Sequence, residues 1–149
     1  MSSIVEQWEI PLDSIILVGD GRSLDYVDSY AFSMPSTKRL TTDHLTYQLF
    51  GFIPAWVNAL LYIRDTIVSV FGLKRSDSVT SDTDERFRYE PGARPGLFTV
   101  SHRTEAEIVM GVPDRHLDVR VSVQQTRTTD DEVLVRSTTV VWFNNKWGR

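Results

Sequence analysis

The sequence predicts an α+β domain in which a curved antiparallel sheet of about six strands packs on two helices from the N-terminal half. Helical spacing of apolar residues occurs only before residue 72, whereas a period of two dominates from Glu85 onward. Turn motifs separate the later segments. With 149 residues, 41% of them apolar, the chain can bury one core, so we expect residues 1–149 to form a single domain.

The N-terminal part contains two short extended segments and a short helix. Ser14–Val18 is an apolar run that ends at a Gly-Asp-Gly turn, which predicts a brief strand or edge segment. Tyr26–Phe32 alternates loosely between apolar and polar residues and predicts a second strand. The short helix would be capped by Thr41 or Thr42 and would end at Gly51.

The strongest helical pattern runs from Pro54 to Phe71. Proline suits the first turn of a helix because its missing N–H has no helical partner there. Gly72 directly follows the last periodic residue and suits a helix end. Residues 74–84 are polar and rich in Ser, Asp and Thr, so we expect a mobile loop there and not a domain boundary.

The second half of the chain predicts five strands. The clearest lies within His116–Arg127, where apolar and polar residues alternate strictly over eight positions. The predicted strands are Arg86–Tyr89, Gly96–His102, Glu105–Val112, His116–Arg127 and Glu132–Asn144. Because the alternation leaves one half-polar side, we expect one face of the sheet to meet water.

Arg64 is the most informative single residue, because it falls within the apolar arc of the predicted Pro54–Phe71 helix. A buried charge is costly unless it is paired or reaches water. One interpretation is structural: Arg64 pairs with an acid such as Glu107 or Asp114, or extends to solvent. The other is functional, with Arg64 as the anchor for an anionic ligand group. The residues that would form the apolar wall of that ligand site are Trp56, Leu60, Ile63 and Ile67.

Asp114 and His116 are the candidates for catalysis. They follow Pro113 and are interpreted first as part of a turn. In the functional interpretation His116 is a general acid or base oriented by Asp114 or Asp118, although the sequence supplies no matched nucleophile. The histidines lack metal-ligand spacing and the chain has no cysteine, so we expect no metal site and no cofactor.

Charge and hydropathy limit the classes of partner. The net charge of −4 and the lack of a basic stripe argue against nucleic acid. No run approaches about 18 apolar residues, so we expect no membrane span, and the N-terminus does not have the pattern of a signal peptide. We expect a cytoplasmic protein whose partners are a small hydrophobic molecule or further copies of the same chain.

Four segments together resemble a known family. Asp25–Ser29, Ile53–Lys74, Gly111–Asp118 and Val140–Arg149 have an order and spacing that resemble the bacterial domain-of-unknown-function 2867 family over roughly residues 10–149. That family resembles the START/polyketide-cyclase helix-grip superfamily, which implies a ligand cavity between a curved sheet and a helix. Helix-grip proteins usually end in a long helix that this sequence lacks, so an NTF2-like cone is the alternative fold.

The residues and the resemblance together favour a non-enzymatic domain that binds a small hydrophobic or amphipathic ligand in a cavity between helix and sheet. One alternative is an enzyme of the cyclase or isomerase kind that uses His116 and Asp114. Another is a structural or assembly module, because a sheet without a terminal helix would expose apolar surface and promote association.

Overall fold

The computed structural model describes residues 5–7, 10–36, 40–51, 88–96, 98–113 and 117–144. The strands in these ranges are β1 (Val5–Gln7), β2 (Tyr26–Pro35), β3 (Thr99–Arg103), β4 (Glu107–Pro113), β5 (Leu117–Arg127) and β6 (Glu132–Phe143). The helix in these ranges is α1 (Thr42–Phe50). The predicted helix Pro54–Phe71 and the predicted loop 74–84 lie outside the described residues.

The six strands form one antiparallel sheet in the order β1-β2-β6-β5-β4-β3. Strands β3 to β6 are joined as successive neighbours, which is the short-range pairing that the turn motifs predicted. β2 instead pairs with β6, so the chain that contains α1 connects β2 to the far edge strand, β3. The arrangement confirms the predicted α+β class.

The helix α1 begins and ends as its sequence predicts. The hydroxyl of Thr41 accepts a hydrogen bond from the backbone N–H of His44 at 3.2 Å, which identifies Thr41 as the N-cap. At the other end the N–H of Gly51 donates to the carbonyl of Tyr47 at 2.7 Å. The helix packs against β4 and β5, and its Leu45, which is 3% exposed, belongs to a buried cluster with Val123 of β5 and Val135 of β6.

Two of the strand predictions differ from the structure. Ser14–Val18 is not a strand, and its residues 16–18 lie in a turn. Ser14 N–H donates to Pro11 O and Val18 N–H donates to Ile15 O, both at 3.0 Å, while Ile15 N–H donates to the Glu107 carboxylate, so none of these three amides bonds to a neighbouring strand backbone. Arg88 and Tyr89, the described end of the predicted strand Arg86–Tyr89, are not in a strand either. The three-residue strand β1 was not predicted, because three residues are too few to show a period.

The sheet is covered on both sides. We call the side that contacts α1 the helix face; its apolar residues include Ile108, Met110, Val121, Val123 and Val135. On the opposite face, Val109, Val140 and Trp142 pack against the segment 10–24, in which Ile16 is fully buried. Burying one such isoleucine contributes roughly 1.5–3 kcal/mol.

Several polar residues of the opposite face are buried. Ser122 and Gln124 of β5 are 1% and 4% exposed, and Thr138 of β6 is 1% exposed. The prediction that the half-polar face meets water is therefore wrong over this part of the sheet. The Thr138 hydroxyl is bonded to the Ser29 hydroxyl of β2 at 3.0 Å. Periodicity along a single strand does not reveal such cross-strand partners or the cover that another segment provides.

Candidate functional site

A pocket of about 460 Å³ opens on the helix face, at the end of the sheet nearest the start of α1. It lies where β2 and β5 end, where β6 begins and where the turn joins β3 to β4. The described residues that line it are Met34, Ser36, Leu40, Glu105, Ala106, Gln125, Arg127 and Val133.

The floor of the pocket is apolar. Met34 of β2 and Val133 of β6 are direct cross-strand partners, and Leu40 lies beside them just before α1. All three pack against the buried cluster that contains Leu45 and Val135. The floor is therefore continuous with the core of the helix face, which holds it in place.

The polar side of the pocket is held by hydrogen bonds to the first residue of α1. The amide nitrogen of Gln125 donates to the Thr42 hydroxyl at 2.7 Å, and that hydroxyl donates to the carbonyl of Glu105 at 2.6 Å. The chain thus links β5, the helix and the β3–β4 turn. Glu105 and Arg127, the charged lining residues, are both exposed.

Sequence reasoning did not single out the residues of this pocket. The available signal lies in β5, whose helix-face positions Val119, Val121 and Val123 are apolar, whereas the next two, Gln125 and Arg127, are polar. A change from apolar to polar on one face of a strand indicates where the packed core ends. It does not show that a concave surface follows.

A network of charges surrounds Trp142 on the opposite face. Arg22 pairs with Asp20 at 2.8 Å and with Asp118 at 2.9 Å, and Arg120 approaches Asp20 at 3.4 Å. The guanidinium groups of Arg22 and Arg120 lie 5.0 and 5.1 Å from the centre of the Trp142 ring, within the range of cation–π attraction. Hydrogen bonds from Arg22 lower the pKa of Asp20 to about 2.

This network connects segment 10–24 to the sheet. Arg120 also donates to the carbonyls of Ile16 and Val18, at 3.0 and 3.3 Å. Gly111 leaves room for Arg120, because a Cβ at residue 111 would lie 3.4 Å from the Arg120 side chain and 3.0 Å from the carbonyl of Val119. A smaller pocket of about 280 Å³ lies beside these residues. Its two arginines already bind aspartates or carbonyls, so the network is structural in character.

A second ion pair joins α1 to β3. Arg103 donates to both carboxylate oxygens of Asp43, at 2.6 and 2.7 Å, and the N–H of Tyr89 donates to the same carboxylate at 2.9 Å. The hydrogen bond from Arg103 is the main reason that the pKa of Asp43 is lowered. Burial raises the pKa of Tyr89 to about 12.

The structure describes two residues of the predicted site. Asp118, a proposed partner of His116, pairs with Arg22 at 2.9 Å. The other described residue is Glu107. It is 2% exposed, and its carboxylate accepts hydrogen bonds from the Ser14 hydroxyl at 2.6 Å and from the Ile15 N–H at 2.8 Å. These partners belong to the segment on the opposite face. The other predicted site residues lie outside the described residues and stay predictions: Trp56, Leu60, Ile63, Arg64, Ile67, Asp114 and His116.

The described ranges contain neither a cluster of metal-binding side chains nor a membrane-spanning helix. Within them, no group of three or more His, Asp or Glu side chains is arranged to hold a metal ion. In that same part of the chain, none of the helices combines the length and apolarity that a membrane crossing needs.

Comparison with known proteins gives one match. No curated protein and no solved structure matches the sequence. A family model described as "Protein of unknown function (DUF2867)" matches residues 21–149, which include the pocket and every strand except β1. Because this match covers most of the sequence, the chain belongs to the DUF2867 family, as the resemblance of its motifs indicated.

Proposed function

We propose that the protein binds a small amphipathic molecule in the pocket on the helix face. The observation that carries the proposal is the combination of a volume of about 460 Å³ with an apolar floor and a polar rim. Pockets for small molecules are typically about 300–1,000 Å³ and combine apolar walls with a few polar groups that set orientation. Met34, Leu40 and Val133 would contact the apolar part of the ligand.

The chemistry of the lining favours binding over catalysis. Ser36 is the one hydroxyl among the described lining residues, and it donates to the carbonyl of Asp130 at 2.7 Å. A hydroxyl held in this way lacks the adjacent general base that activates a serine nucleophile. We also propose that the predicted contacts Arg64, Trp56, Leu60, Ile63 and Ile67 take part in ligand binding, and that the protein acts in the cytoplasm.

A neutral amphipathic dye such as 6-propionyl-2-(dimethylamino)naphthalene tests the proposal. We expect saturable binding with a blue shift of the dye emission, because the dye would leave water for the apolar floor. Ala106→Trp places a bulky ring at an exposed lining position and should weaken binding by roughly tenfold or more. Leu12→Trp, at a fully exposed position away from the pocket, is the matched control and should bind as the unmodified protein does.

Two results would refute the proposal. One is the absence of saturable dye binding to a protein that shows cooperative unfolding. The other is equal dye affinity for Ala106→Trp and Leu12→Trp, with unfolding temperatures that match that of the unmodified protein.

A further inference from the structure

We infer that the ligand of the proposed pocket carries a negatively charged head group, and that Arg127 binds this group. The inference rests on the proposed function and specifies the class of ligand: an apolar chain or ring that ends in a carboxylate or a comparable anion. Arg127 suits the role because its planar guanidinium can donate two parallel hydrogen bonds to such a group.

The position of Arg127 connects the charged rim with the apolar floor. In the β5–β6 register Arg127 is the direct cross-strand partner of Val133, which belongs to that floor. Such partners have Cβ atoms about 4.5–5.5 Å apart and lie on the same face of the sheet. A ligand whose apolar part covers Val133 therefore brings its head group within reach of Arg127.

Among the described lining residues, Arg127 is the hydrogen-bond donor that is available to a ligand. The described lining residues include three side chains that can donate hydrogen bonds: Ser36, Gln125 and Arg127. Ser36 donates to a main-chain carbonyl and Gln125 donates to Thr42. In the described part of the chain, no acidic side chain lies within ion-pair distance of Arg127.

Glu105 lines the same pocket with an exposed carboxylate, which would repel an anionic ligand placed beside it. The carbonyl of Glu105 accepts a hydrogen bond from Thr42 at the first residue of α1. Arg127, in contrast, is the direct cross-strand partner of the floor residue Val133, so the pocket should prefer an anionic ligand to a cationic one.

Three ligands with the same ten-carbon chain test the inference at neutral pH: decanoate, decanol and decyltrimethylammonium. Displacement of the neutral dye gives the affinity of each. We expect decanoate to bind roughly tenfold more tightly than decanol and decyltrimethylammonium to bind most weakly, which corresponds to about 1.4 kcal/mol per tenfold step. The preference for decanoate should decrease with added sodium chloride, because salt screens an exposed charge.

Variants at Arg127 and Glu105 test which of the two residues causes the preference for decanoate. Arg127→Gln should abolish the difference between decanoate and decanol without changing the affinity for decanol, whereas Arg127→Lys should retain part of it. Glu105→Gln removes the like charge from the same pocket and should increase decanoate affinity. Both residues are exposed, so these changes are expected to leave the fold intact.

The outcomes separate the inference from the proposed function. If no decyl compound displaces the dye and the dye itself does not bind, the proposed pocket function is refuted. If decanol and decanoate bind equally, or if Arg127→Gln keeps the preference for decanoate, the pocket binds ligands but the inference is wrong. Tighter binding of decyltrimethylammonium, lost in Glu105→Gln, would identify Glu105 as the anchor and would also overturn the inference.

Discussion

Ser14→Ala is expected to lower the free energy of unfolding by about 3 kcal/mol, because its hydroxyl satisfies a buried carboxylate. Glu107 is 2% exposed and receives two hydrogen bonds in the structure, one of them from Ser14 at 2.6 Å. A hydrogen bond to a charged group contributes about 1.5–3 kcal/mol. Ser14 Oγ also accepts from the Ile16 N–H at 3.2 Å, a neutral bond that contributes about 0.5–1.5 kcal/mol.

Urea unfolding followed by tryptophan fluorescence measures this loss, since Trp142 is buried beneath the segment that contains Ser14. For a chain of 149 residues, a loss of about 3 kcal/mol lowers the unfolding temperature by roughly 6–12 °C. The matched control is Ser23→Ala, because Ser23 is exposed; its effect should stay within about 0.5 kcal/mol.

A double-mutant cycle tests the cause. Glu107→Gln alone should also destabilise the protein, and Ser14→Ala should cost about 1–2 kcal/mol less in the Glu107→Gln background, because the charged acceptor is then absent. The reasoning is refuted if Ser14→Ala resembles Ser23→Ala, or if the two substitutions are additive.

Three further predictions concern other residues that stabilise the fold. Arg103→Lys should reduce the free energy of unfolding by about 1–2 kcal/mol in urea titrations, because lysine cannot reproduce the paired hydrogen bonds to Asp43; an unchanged urea midpoint would contradict this. Gly51→Ala should cost about 1–3 kcal/mol in the same assay, because a Cβ there would clash with both the ring and the main-chain carbonyl of Tyr47; equal stability would contradict this. Asp20 has a pKa of about 2 in the folded protein and 3.8 in the reference state, so its contribution is present above pH 3.8 and is lost as pH falls to about 2. The stability difference between the unmodified protein and Asp20→Asn should therefore shrink over that interval, and a difference independent of pH would refute the assignment.

Local chemistry accounts for the successful parts of the sequence analysis. The cap at Thr41, the stop at Gly51 and the alternation within His116–Arg127 depend on residues close together in the chain, and the described structure agrees with them. Ser14–Val18 failed as a strand because a run of four apolar residues fits a turn packed on the core as well as a strand in a ladder. Contacts with residues about 90 positions later in the chain, such as the hydrogen bond from Ser14 to Glu107, determine the conformation of this segment.

The sequence by itself determined the α+β class, the membership of the DUF2867 family and most of the strands, because periodicity, caps and turn residues act over a few positions. Only the tertiary structure decided that β2 pairs with β6 and that segment 10–24 covers the opposite face. It also brought the ends of β2 and β5 and the start of β6 together around one pocket. A concave surface depends on where distant segments leave space between them, and this is a property of the packed chain that no local pattern of residues encodes.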